Sequence, residues 1–207
     1  MRVRHEVDGD PLLQDSLLYV SDAGYPFQVG RLRYFLYDFS LVTAENFLEP
    51  VGGFQLVDSW YAFAQDFQIG EVPKGEYIGI EFHLGLNAIA DRQGGLATTS
   101  GYDEMSGAPT AYGYYHYLKF DGLYLFDDTL RDYKLYLAGA DARIRYRILR
   151  NFSVGAGGRR LELVMNLGEW LRNPEDYDFL ADGPNSLDNP SSMIKLASNG
   201  TDVFRLE

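Results

Sequence analysis

The chain contains no cysteine, which removes disulfides, thiolate metal centres and cysteine nucleophiles and leaves the redox compartment unread. Positive charge is scarce as well. Against 30 Asp and Glu there are 18 Lys and Arg, a net charge of −12, and no basic patch of the kind that meets a phosphate backbone, so nucleic acid is excluded as a partner. No apolar run approaches the roughly 20 residues needed to span a bilayer, and no transmembrane segment is expected. Met1-Arg-Val-Arg-His5 opens on a strand-like pattern without the apolar core of a signal peptide, so the chain is expected to be soluble as given, with the mature part of an exported protein whose signal has been removed as the open alternative. Glycine-rich phosphate loops, a Gly-x-Ser-x-Gly elbow and His-Glu-x-x-His are missing, and no spacing singles out two of the 30 acids as a hydrolytic pair. No enzymatic activity is expected.

Aromatic residues and glycine are plentiful. Sixteen Tyr, 13 Phe and two Trp, punctuated by 22 Gly, favour short strands over helices. Turn chemistry at Asp8-Gly-Asp-Pro11 and Ser21-Asp-Ala-Gly24 closes two early segments. A long strand or a bent strand pair is expected over 29–42, a break at Val51-Gly-Gly53, then strands over 54–67, 77–84, 112–126, 133–138, 142–149 and 160–165. Gly155-Ala-Gly-Gly158 reads as a hairpin-like turn between the last two. Residues 85–111 are rich in Gly, Ala, Ser and Thr and too long for an ordinary connection, which predicts a functional or irregular loop. Short helices are expected late in the chain, one capped by Asn166 and stopped at Asn173-Pro174, another from Pro190 or Ser191 to Ser198 with Asn199-Gly200 as its end. At 207 residues without an internal repeat, the expectation is a single domain over 1–207: an all-β, Greek-key-like β-sandwich with one or two short C-terminal helices.

The three histidines carry the chemical interest. In Val3-Arg-His-Glu-Val7, alternation places His5 with Val3 and Val7 on an apolar face. In His116-Tyr-Leu-Lys-Phe120 the same rule points His116 with Leu118 and Phe120. His83 alternates with Ile80, Phe82 and Leu84 and belongs to the polar face. A buried imidazole needs a hydrogen-bond partner or a metal, and two on separate strands can meet at one site. The plain alternative is a pair of structural histidines bonded to carbonyls, a carboxylate or neighbouring tyrosines. Asp38 and Asp58 are further carboxylates for a metal, each equally suited to a turn-end or cap role.

Five segments together resemble the MbnP-like family of exported, copper-associated β-sandwich proteins. They are His5-Glu-Val-Asp-Gly9, Arg31-Leu-Arg-Tyr-Phe-Leu-Tyr-Asp-Phe-Ser-Leu41, Tyr114-Tyr-His-Tyr-Leu-Lys-Phe-Asp-Gly122, Met165-Asn-Leu-Gly-Glu-Trp170 and Asn199-Gly-Thr-Asp-Val-Phe204. The resemblance implies that His5 and His116 are the metal ligands. Many members carry a third histidine where Tyr133-Lys-Leu-Tyr-Leu-Ala-Gly139 stands here, with Leu137 in its place. Some bind Cu(I) with an oxidised tryptophan, whereas the corresponding segment here is Ala108-Pro-Thr-Ala-Tyr112, and Trp60 and Trp170 lie elsewhere.

The function this implies is an exported metal-binding protein, taking copper through two inward-facing histidines. Its partners would be a metal ion and another exported or outer-membrane protein. Its location would be the periplasm, the outer membrane by a lipid anchor, or the extracellular space. The alternative from another class is a metal-free cell-surface module that binds a glycan or a partner protein on the loop around 85–111.

Overall fold

The computed structural model describes residues 1–92, 95–96 and 101–207. In chain order its strands are β1 (Arg2–Val7), β2 (Asp10–Pro11), β3 (Tyr19–Val20), β4 (Pro26–Thr43), β5 (Leu48–Asp58), β6 (Gly75–Leu84), β7 (His116–Phe126), β8 (Thr129–Ala138), β9 (Ile144–Val154), β10 (Glu162–Asn166) and β11 (Phe204–Leu206). One α-helix, α1 (Pro190–Asn199), follows short 3-10 turns. The smaller sheet runs β11-β10-β1-β2, and the larger runs β8-β7-β4-β6-β9 with β3 and β5 also paired to β4. The result is the expected all-β sandwich with one short C-terminal helix. Among the described residues no helix is long and apolar enough to cross a membrane.

The 18-residue β4 organises the larger sheet, because its first half pairs with β7 and its second half with β6. Alternation gives it two faces. Leu32, Tyr34 and Leu36 turn toward the smaller sheet, where Tyr34 meets Phe204 of β11 at 6.0 Å and Phe82 meets the same ring at 5.4 Å. Burying such rings supplies most of the favourable free energy of the sandwich. Arg33, Phe35 and Tyr37 turn outward beneath the segment 101–115, with Phe35 edge-on to Tyr102 and Tyr115.

Two expectations change. Val51-Gly-Gly53 does not interrupt the chain: Gly52 (φ 75°) and Gly53 (φ 92°) lie within β5 opposite an irregularity at Phe39/Ser40, where left-handed glycines absorb the register shift. Gly155 to Gly158 does form a turn, but β9 and β10 belong to different sheets, so it carries the chain between layers. β10 instead pairs in parallel with β1, a contact between distant parts of the chain that no local turn signal announces. The first late helix shrinks to a 3-10 turn at Gly168–Leu171, with Asn166 accepting from the Gly168 amide. The second forms as α1, capped by Asn189.

Candidate functional site

His5 comes from the middle of β1, whose inward residues Val3, His5 and Val7 are all buried. Its ring meets the Tyr34 hydroxyl through Nε2 at 2.9 Å and lies edge-on to the Tyr34 ring. Beside it on β10, in direct register, is Met165, fully buried; paired residues of neighbouring strands share a face. The ring also borders a cavity of about 450 Å³ lined by Gln14, Ser59 and Gln65. Loss of hydration pushes its pKa down to about 4, so the imidazole is neutral at pH 7.

His116 opens β7, and here the structure departs from simple alternation. It pairs with Ala138 while Leu118 pairs with Leu137, so β7 carries one extra residue at this point. Such a bulge reverses the facing of everything before it. His116 is buried as expected, but not beside Leu118 and Phe120: its ring packs edge-on to Tyr136 at 5.1 Å. Tyr136 is the partner of Lys119, which in turn pairs with Arg33, on the outer face. The two buried histidines therefore lie on opposite faces of the larger sheet. Nδ1 of His116 is 3.1 Å from the Met105 carbonyl and must donate to it, which leaves the lone pair on Nε2. Burial first, then the nearby Lys119 ammonium, lower its pKa to about 4.

Around His116 the outer face carries a compact charge network. Arg31 grips Asp58 (2.5 Å) and Glu104 (2.8 Å), while Arg33 reaches Glu104 (2.7 Å) and Asp121 (3.0 Å). Lys119 donates to the Glu104 carbonyl at 2.6 Å, and the Tyr136 hydroxyl donates to Asp121. The bidentate bond to Asp58 holds Arg31 firmly protonated, whereas burial lowers the Lys119 pKa. Three cations face three carboxylates, so the face is balanced. The 3-10 turn Asp103–Met105 fastens over it like a clasp, its Met105 fully buried. The resemblance segments around Arg31 and His116 thus meet here. Spacing hints at part of this, since Arg31-x-Arg33 and Lys119-x-Asp121 repeat at two-residue intervals. Nothing local singles out Glu104, which arrives from a loop 71 residues beyond Arg33.

The remaining candidates find other roles. Asp58 is engaged by Arg31 and, at the end of β5, also accepts from the Trp60 amide at 3.0 Å, the turn-end role. Asp38 lies in the β4 bulge at φ 58°, largely exposed, 4.0 Å from Nδ1 of His83. His83 is less open than its polar-face position implies, its ring tilted against Tyr37 at 5.0 Å and its buried Nδ1 without a hydrogen-bond partner among the described residues. Leu137 is fully buried opposite Leu118, away from the His116 ring. Trp60 is half-exposed under the Arg31 guanidinium, and Trp170 is buried. The 85–111 loop is tied down where described: Asp91 accepts from the Tyr114 and Tyr115 amides and the Tyr117 hydroxyl, and Gly113 leaves room for that carboxylate. Residues 93, 94 and 97–100 of that loop lie outside the described residues.

A closed copper or zinc centre needs three or four donors around one point. Among the described residues no three His, Cys, Asp or Glu side chains are grouped in that way. His5 and His116 each present a single buried, neutral imidazole.

Comparison with known proteins gives a consistent family. The family model for MbnP matches residues 1–192. A solved structure, MbnP from Methylosinus trichosporium, superimposes with a TM-score of 0.54 over 99% of this chain and 96% of that one, at 14% identity, a likeness of fold. No curated protein matches the chain. With the family model spanning nearly its whole length, the chain belongs to the MbnP family.

Proposed function

We propose that the chain is an exported copper-binding protein that performs no chemistry on a substrate, with His5 and His116 as two separate metal-binding positions. Family membership supports the copper context. The observation that carries the reading is the register of His5 with Met165 on adjacent parallel strands. A neutral imidazole nitrogen beside a thioether is a soft, low-coordinate donor pair, and such donors select Cu(I) over hard divalent ions. His5 also borders a cavity, so a metal has an approach to it. His116 is the weaker position, because Lys119 and Arg33 oppose an added cation there. The periplasm, the outer-membrane surface or the extracellular space is the proposed location, with a second exported or outer-membrane protein as the exchange partner.

Competition against a Cu(I) chelator tests this. Wild type should take up copper, His5→Ala should weaken uptake at least tenfold, and the His5→Ala/His116→Ala double variant should abolish it while remaining folded. Unchanged uptake in the double variant would remove the proposal.

A metal-free surface module is the second reading, favoured by Trp60, Tyr61 and Phe63, exposed together on one loop with Tyr61 and Phe63 stacked at 5.4 Å. Aromatic faces of this kind suit a sugar ring or a partner's apolar patch. Under this reading Trp60 fluorescence responds to oligosaccharides, and neither histidine variant changes anything.

A further inference from the structure

A separate cavity of about 550 Å³ lies between the segment 86–91, the end of β8 and α1. Its size is that of a small-molecule site. The walls are mostly apolar: Tyr112 and Tyr117 on one side, Met193 and Ile194 of α1 on the other. The space exists because Ala111, Ala138 and Ala140 line it where larger side chains would close it. Ile194, 61% exposed, offers apolar surface at the cavity.

Two carboxylates and one cation line the cavity, a net negative charge. Asp91 and Asp141 both line the cavity. Asp91 is held by three hydrogen bonds, from the Tyr114 and Tyr115 amides and the Tyr117 hydroxyl. Asp141, exposed in the 3-10 turn Ala140–Ala142, has no salt-bridge partner among the described residues. The nearby cation, Arg143, does not answer them: its head interacts with Tyr37 in the neighbouring cavity, and its Cγ packs near Gly85 beside Tyr117. Its charge acts on Tyr37 and on Tyr117 alike, which leaves Asp141 as the carboxylate free to meet a ligand.

We propose that this cavity binds a small amphipathic organic cation, an amine whose apolar body lies between the tyrosines and α1 and whose ammonium meets Asp141. Tyrosine faces add attraction for a cation that an anion of the same shape lacks. The site is distinct from both histidines and does not depend on metal binding.

The test uses two probes of matched shape, 2-phenylethylamine and 3-phenylpropanoate, in calorimetric titrations of the full chain. The amine should bind saturably at one site and at least tenfold more tightly than the carboxylate. Asp141→Asn should weaken the amine at least fivefold, whereas Glu45→Gln, an exposed turn substitution with the same loss of charge, should leave it unchanged. Ala140→Phe should fill the cavity and abolish binding; if its melting temperature falls, Ala111→Phe fills the same space from the opposite wall. Absence of saturable amine binding, equal binding of the two probes, equal losses in Asp141→Asn and Glu45→Gln, or binding that survives the filled variants would each overturn the proposal.

Discussion

On the interior face of β4 and β7, Tyr34 and Leu118 lie among apolar side chains, and the polar demand of His5 is met by the Tyr34 hydroxyl. One residue along each strand, Arg33 and Lys119 face outward into a layer where three cations, three carboxylates and His116 are clasped beneath Asp103–Met105. The same two strands thus bury a histidine on each side by different means. Inside, the imidazole is kept neutral by loss of water alone; outside, neighbouring positive charge adds to the same effect. The difference teaches that equal burial does not make the two histidines equivalent: His5 lies in register with Met165 among apolar side chains, His116 beside an ammonium and a guanidinium.

The largest expected effect comes from breaking the outer face. Asp58→Ala leaves Arg31 partly buried without its bidentate partner, at a cost of about 3–5 kcal/mol, read by urea denaturation. Removing both partners in Asp58→Ala/Arg31→Met should recover much of that loss, and no recovery would mean that the pair is not the unit described.

The interior face is challenged next. Leu137→His places an imidazole opposite Leu118 in the apolar core, where it finds neither His116 nor a polar partner. It should destabilise by about 2–3 kcal/mol, with the same fall in melting temperature with and without copper. A copper-dependent recovery would show that Leu137 does adjoin the metal site, because a ligand bound to the folded state raises its stability.

Acid separates the two faces from the rest of the molecule. Both imidazoles have folded pKa values near 4, below the unfolded value of 6.5, so the unfolded chain binds more protons between those limits. Stability is then full above pH 6.5 and falls as the pH drops toward 4, by on the order of 1–3 kcal/mol for each histidine. Denaturation curves from pH 7 to 4.5 should flatten in His5→Gln and in His116→Asn; an unaltered slope in both would mean that neither imidazole is buried neutral.

The smallest effect belongs to the clasp. The Glu104 carboxylate is half-exposed, so Glu104→Ala should cost less than about 1 kcal/mol. Amide exchange across 102–106 should nevertheless rise, and unchanged exchange would show that Met105, not the ion pairs, holds the turn down.

The fold was legible wherever its cause is local. Alternation marks β4, β6 and the inward set Val3, His5 and Val7, and Pro190 with Asn199-Gly200 brackets α1. The candidate site was legible only in part. His5 follows the rule of two because β1 is regular, whereas the face of His116 depends on an extra residue in β7 relative to β8, a property of the pair and not of either segment. Met165 and Glu104 arrive through a parallel pairing and a loop return, both long-range. Gly122, at the end of the most specific resemblance segment, has a reason that only packing reveals: a side chain there would strike the Gln28 carbonyl and the Tyr133 hydroxyl.

The central claim is that His5 and His116 are separate positions on opposite faces, with His5 the better copper ligand. Nitrogen-15 NMR of the imidazoles during Cu(I) titration tests it most directly. The His5 ring resonances should move over the first equivalent while those of His116 stay in place. Parallel shifts of both rings, complete at one equivalent, would contradict the account and require a single shared site.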